Sequence, residues 1–123
     1  KRAAEGVKIR RRIAEFYTSF FTEKDYLKGM SGNIEGHAYH LYVIEVEHRN
    51  ELYKFLRENG VLAQIHYFPI HKMPYYRNNL ISDYELPYLE TYSQRCLTLP
   101  IFPELTIDDL NFITSLVDKF YEN

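Results

Sequence analysis

The sequence contains one cysteine, Cys96, so neither a disulfide within the chain nor a multi-cysteine zinc site can form. A lone thiol fits a reducing compartment. There is no tryptophan. No apolar run approaches the roughly 20 residues that cross a bilayer as a helix. The polar, basic start is not followed by the apolar stretch of a signal peptide. Neither sign of charge dominates: 15 Lys and Arg against 17 Asp and Glu give a formal net charge of -2. No global positive field is therefore on hand to grip nucleic acid or an anionic lipid surface. Walker A, Gly-x-Gly-x-x-Gly and Gly-x-Ser-x-Gly patterns are missing, which excludes those nucleotide cradles and that nucleophile elbow. The opening, Lys1-Arg2-Ala3-Ala4, carries no initiator methionine, and a piece of a longer chain is the expectation.

What is present suits one ordinary globular domain: 123 residues, 46% hydrophobic and 26% charged. Ile13, Phe16, Tyr17 and Phe20 fall on one helical stripe, with Arg10, Arg11 and Arg12 mostly off it, and the helix should fade near Thr22. Residues 23–38, with Gly29, Ser31, Gly32, Asn33 and Gly36, read as a connector. The run 39–47 is rich in β-branched and aromatic residues and reads as a strand. His48 stands where it could cap a helix over about 50–59, which buries Leu52, Phe55 and Leu56 and stops at Gly60. Residues 61–67 read as a second strand with Gln64 and His66 on its polar face. Residues 68–83 read as a long aromatic loop, and Pro87 opens a helix with Leu89, Tyr92 and Cys96 on one side. Residues 97–99 make a short strand. Thr106 with Asp109 resembles a capping box for a last helix, and Leu105 with Leu110 has staple spacing. Leu110, Ile113, Val117, Phe120 and Tyr121 form the buried stripe of that helix. The order α-β-α-β-α-β-α implies an α+β (α/β) fold with about three strands covered by helices.

The densest chemistry is His66-Tyr67-Phe68-Pro69-Ile70-His71. Histidine can donate to a phosphate or a sugar hydroxyl, and tyrosine can stack and donate. The same residues also suit a packed aromatic strand end with two surface histidines, the commoner outcome for such a cluster. Metal binding is poorly served, because His66/His71 and His37/His40 match no zinc spacing and no second cysteine helps. Cys96 reads as a buried, inert thiol. Lys8, Arg10, Arg11 and Arg12 could touch phosphates but read as a solvated face. Asp108 and Asp109 sit where a helix start favours negative charge.

Four stretches together resemble the C-terminal domain of the DegT/DnrJ/EryC1/StrS sugar-nucleotide aminotransferases, which are fold-type I, pyridoxal-phosphate-dependent enzymes. They are Arg11-Arg12-Ile13-Ala14-Glu15-Phe16-Tyr17; His40-Leu41-Tyr42-Val43-Ile44; the run from Gly60 to His71, which is the most diagnostic; and Leu97-Thr98-Leu99-Pro100-Ile101 with Pro103, Leu105 and Thr106. Leu62-Ala63-Gln64 leading into His66-Tyr67 is most similar to the subgroup that makes UDP-4-amino-4,6-dideoxy-N-acetyl-altrosamine, on the route to pseudaminic acid.

The resemblance implies that residues 1–22 are a helix leaving a large N-terminal domain and 23–123 are the small domain. It places the Schiff-base lysine, the aspartate at the pyridine nitrogen and the phosphate-binding groups upstream. This segment then holds no catalytic, cofactor-binding or metal-binding residue and is inactive by itself. Substrate contact carries over to His66, Tyr67, Phe68, Pro69 and His71. The whole enzyme would be a cytoplasmic homodimer that aminates a 4-keto, UDP-linked deoxy sugar with glutamate, in surface polysaccharide or nonulosonic acid biosynthesis, with no nucleic-acid or membrane partner. The rival expectation is a self-standing, non-catalytic α+β binding or assembly module, since fold does not fix function.

Overall fold

A computed structural model describes residues 2–79 and 86–122. Helix α1 spans Arg2–Phe21 and buries Ile13, Ala14, Tyr17 and Phe21. Phe16 and Phe20 from the same stripe pack half-buried against that core. Three strands follow in a single antiparallel sheet of order β1-β2-β3: β1 is Leu27–Met30, β2 is Tyr42–Val46 and β3 is Cys96–Leu99. Helix α2 (Arg49–Glu58) follows β2, helix α5 (Ile107–Glu122) closes the chain, and α1, α2 and α5 enclose the core. The expected α+β fold with a three-stranded sheet and covering helices is present.

The central strand alternates. Tyr42, Ile44 and Val46 are buried while Val43 and Glu45 are half-buried, the period of two that a sheet with unlike faces requires. Tyr17 lies 5.1 Å from Tyr42, and its hydroxyl donates to Pro100 O at 2.8 Å. Burial raises the Tyr17 phenol far above its usual range.

Two of the three strands differ from the sequence reading. The 23–38 connector contains β1, whose Leu27 pairs with Val46 and Met30 with Ile44 across a register shift. Leu27 and Met30 pack on the core, and that contact supplies the drive that the short, glycine-containing sequence hides. A Cβ at Gly29 would meet Glu45 Oε1 at 2.7 Å, the far end of a flexible side chain that can swing aside. Conversely, 61–67 is not a regular strand. Only Gln64 forms a bridge, exchanging backbone bonds of 3.0 and 2.8 Å with Thr98. Val61 and Ala63 are buried, but Ile65 and Tyr67 on the same parity are exposed, so no face is sustained. The strand expected over 39–47 is β2, which starts at Tyr42 rather than 39, because Tyr39 takes a left-handed conformation, φ 48°. Its hydroxyl accepts from Ile34 N and donates to Gly32 O, closing the preceding loop.

The helix ends behave as expected, with one exception. Gly60 takes φ 84° just past α2. Thr106 and Asp109 exchange the reciprocal bonds of a capping box, at 2.6 to 3.1 Å. His48 occupies the start of α2, but its side chain makes no capping bond.

Candidate functional site

Past the Gln64–Thr98 bridge the chain continues without regular strand structure. A 3-10 turn (Ile70–Lys72) and a short helix α3 (Pro74–Asn79) occupy much of the expected aromatic loop, whose residues 80–83 lie outside the described residues. Helix α4 (Pro87–Arg95) begins at Pro87, as the proline position implies, and runs directly into β3. Cys96 therefore opens β3 rather than lying on the helix. It is buried, and burial pushes its thiol up, which keeps it protonated and unreactive at neutral pH.

These segments enclose a groove of about 610 Å³ between the outer face of β2 and α4. One wall is His66, Tyr67, Phe68, Pro69, Ile70 and His71; the other is Leu86, Leu89, Tyr92 and Ser93, with Leu41 and Val43 as the floor. All five residues singled out from sequence are thus in one groove, but they differ in setting. Tyr67 is 68% and Phe68 59% exposed, Pro69 is buried, and the His71 side chain is only 11% exposed. The His66–Tyr67 peptide bond is cis, and the two rings meet edge to face at 4.8 Å. His66 Nδ1 lies 3.0 Å from the Thr98 hydroxyl.

Three residues behind the groove escaped the sequence reading. Glu90, in the first turn of α4, places Oε1 3.8 Å from His71 Nε2 and Oε2 3.7 Å from Lys72 Nζ, tying the 3-10 turn to the helix. No hydrogen bond reaches His71 Nε2, which is the one buried side-chain polar atom without a partner among the described residues. Arg49 is buried and, among the described residues, has no carboxylate partner. Its guanidinium donates to Cys96 O at 2.8 Å, Ser93 O at 2.9 Å and Asn50 Oδ1 at 2.9 Å, pinning the α4–β3 junction. Thr98, on β3, is the third. An arginine and a threonine in ordinary surroundings carry no local signal; only their distant partners, 47 and 32 residues away, mark them.

Two arginines of the basic stretch on α1 are engaged elsewhere. Arg10 donates to Ile101 O and Arg11 to His37 O, so these guanidinium groups fasten loops. No group of three or more His, Cys, Asp or Glu among the described residues is placed to hold a metal ion. No helix among them is long and apolar enough to cross a membrane.

The groove can bind and orient a ligand with a flat ring and several acceptors. Its donors are two histidines and two tyrosines on an otherwise apolar wall, and the Ser93 hydroxyl beside them donates to Glu90 O. That donor set does not fit pyridoxal phosphate as a resident group. Among the described residues, no lysine lines the groove to form a Schiff base and no carboxylate lines it to meet the pyridine nitrogen.

Comparison with known proteins places this geometry in a context. The sequence profile of the DegT/DnrJ/EryC1/StrS aminotransferase family matches residues 1–118. The spore coat polysaccharide biosynthesis protein SpsC of Bacillus subtilis is 29% identical over 95% of this chain. A DegT DnrJ EryC1 StrS aminotransferase from Brucella abortus, of known crystal structure, superposes with a TM-score of 0.82 at 29% identity, over 97% of this chain and 32% of that one. Helicobacter pylori PseC, an aminotransferase involved in the biosynthesis of pseudoaminic acid, shares the fold with a TM-score of 0.84 at 22% identity, over 97% of this chain and 33% of that one. The chain spans 24% to 32% of the length of the curated relatives it matches first.

Proposed function

Since this chain belongs to the DegT/DnrJ/EryC1/StrS aminotransferase family, we propose that it is the substrate-facing C-terminal part of a sugar aminotransferase. The observation that carries the reading is the groove, which gathers His66, Tyr67, Phe68, Pro69 and His71 beside an apolar floor. In this reading residues 1–22 lead out of a large domain and 23–123 form the small one. The whole enzyme is a cytoplasmic homodimer that uses pyridoxal phosphate.

The cofactor, held upstream, would supply the amino-group carrier and electron sink. The residues of this chain bind and orient. The exposed Tyr67 and Phe68 rings offer a stacking surface to a nucleotide base. His66 offers a donor to a diphosphate or a hydroxyl. The apolar wall of Leu41, Val43 and Leu89 excludes water from one side of the bound sugar. The proposed substrate is a 4-keto, UDP-linked deoxy sugar, with glutamate as amino donor. The altrosamine subgroup is the reading favoured by the Leu62-to-Tyr67 stretch. By itself, the 123-residue chain is inactive, because it has no Schiff-base lysine at the groove.

The test restores the upstream polypeptide and titrates pyridoxal phosphate by its absorbance. A characteristic internal Schiff-base band is the expected result, and its absence overturns the reading. His66→Ala and Tyr67→Ala should each lower kcat/KM for the sugar nucleotide by about 10- to 100-fold. Unchanged kinetics in both would remove the groove from the substrate path.

A further inference from the structure

His66 is held at one nitrogen and open at the other. Its Nδ1 lies 3.0 Å from Thr98 Oγ1, and among the described residues Nε2 makes no bond and is not one of the buried, unpartnered polar atoms. Two arrangements satisfy the 3.0 Å contact. Either the ring donates Nδ1–H to the hydroxyl oxygen, or the hydroxyl donates to a bare Nδ1. Thr98 decides between them. It is only 5% exposed, and its hydroxyl has no other partner among the described residues. If the ring donated, the threonine proton would be buried without an acceptor and would bear its full desolvation cost. If the hydroxyl donates, every polar group is satisfied, and the ring's remaining proton sits on Nε2, where solvent or a ligand can accept it.

We propose that Thr98 is a positioning residue that fixes the His66 tautomer, so that the groove is presented with an Nε2–H donor. The backbone supports the same assignment. Thr98 N and O both bond Gln64, two residues before His66, so one β3 residue sets both the path of the chain and the orientation of the ring. A group that accepts hydrogen bonds, such as a diphosphate or hydroxyl oxygen, is the ligand chemistry this arrangement selects. A ligand that must donate to His66 is disfavoured. The selection of such a ligand rests on the proposed function, but the tautomer does not.

The test uses the 123-residue chain with 15N-labelled histidine at alkaline pH, where the imidazole is neutral. Two-dimensional 15N–1H spectra then separate a bare ring nitrogen from a protonated one. Wild type should show His66 with Nδ1 bare and Nε2 protonated. Thr98→Val keeps the shape and the backbone bridge, and should lower the ratio of Nε2–H to Nδ1–H forms roughly tenfold. Thr98→Ser should restore the wild-type pattern. A protonated Nδ1 in wild type overturns the proposal, and so does a Val variant whose His66 signals are unchanged. The wild-type measurement needs no variant to fold and no substrate to bind, so its outcome is separate from that of the transaminase assay.

Discussion

The two faces of β2 are built for different ends. Toward α1, α2 and α5 the strand sets Tyr42, Ile44 and Val46, each fully enclosed, among Tyr17, Leu52, Leu56 and Val117. Toward α4 it sets Val43, beside Leu41 just ahead of the strand, on the floor of an open groove, where exposed aromatic side chains stand without full cover. One five-residue strand therefore separates a closed apolar core from an apolar surface left available. The lesson is that stability and binding are assigned here by parity along the strand. A substitution at an even position should act on folding, and one on the groove wall should act on recognition.

Ile44→Ala tests the first half most severely. It deletes enclosed methylenes from the centre of the sheet and should cost about 2 to 5 kcal/mol, read from a shift of the urea midpoint. Arg49→Met is next. It leaves Cys96 O and Ser93 O without their donor, an expected loss of about 1 to 3 kcal/mol. A fully stable variant would show that the α4–β3 junction does not depend on the guanidinium. Thr106→Ala removes the cap of α5 for about 1 kcal/mol. It should also change the acid limb of the stability profile. The Thr106 hydroxyl and then its amide hold the Asp109 carboxyl below its usual range. A carboxyl depressed on folding contributes stability above its unfolded pKa, and that contribution is lost as pH falls through the carboxylate range to the folded pKa. Denaturation curves taken through mildly acidic pH should accordingly be flatter in the variant than in wild type. Tyr67→Ala stands at the other end. It should move stability by less than about 0.5 kcal/mol, because the ring is mostly in solvent. A large loss there would erase the contrast between the two faces.

Much of this was legible from residue order, for physical reasons that differ by element. The stripe of α1, the cap of α5 and Pro87 at the head of α4 are local signals, fixed within a few residues of chain. The groove's long wall was legible because histidine, tyrosine and proline are crowded into six positions. β1 was not legible, because Leu27-Lys28-Gly29-Met30 is made a strand by its partners Ile44, Glu45 and Val46 rather than by its own propensity. The reverse holds for 61–67, whose composition favours a strand but which finds a partner only at Thr98. The groove's second wall on α4, and the buried supports Arg49, Glu90 and Thr98, arise only when distant segments meet.

The bridge between Gln64 and Thr98 has a consequence for how copies of this chain can associate. It occupies part of the outer edge of β3, and the residues after it carry the backbone off toward the groove. The opposite edge, on β1, is four residues long, shifted in register, and carries the exposed Lys28. Neither border offers the long, flat ladder of unpaired amides that an incoming strand needs. Any pairing of two such chains is therefore confined to side chains and helix faces. A continuous sheet running from one copy into the next is disfavoured.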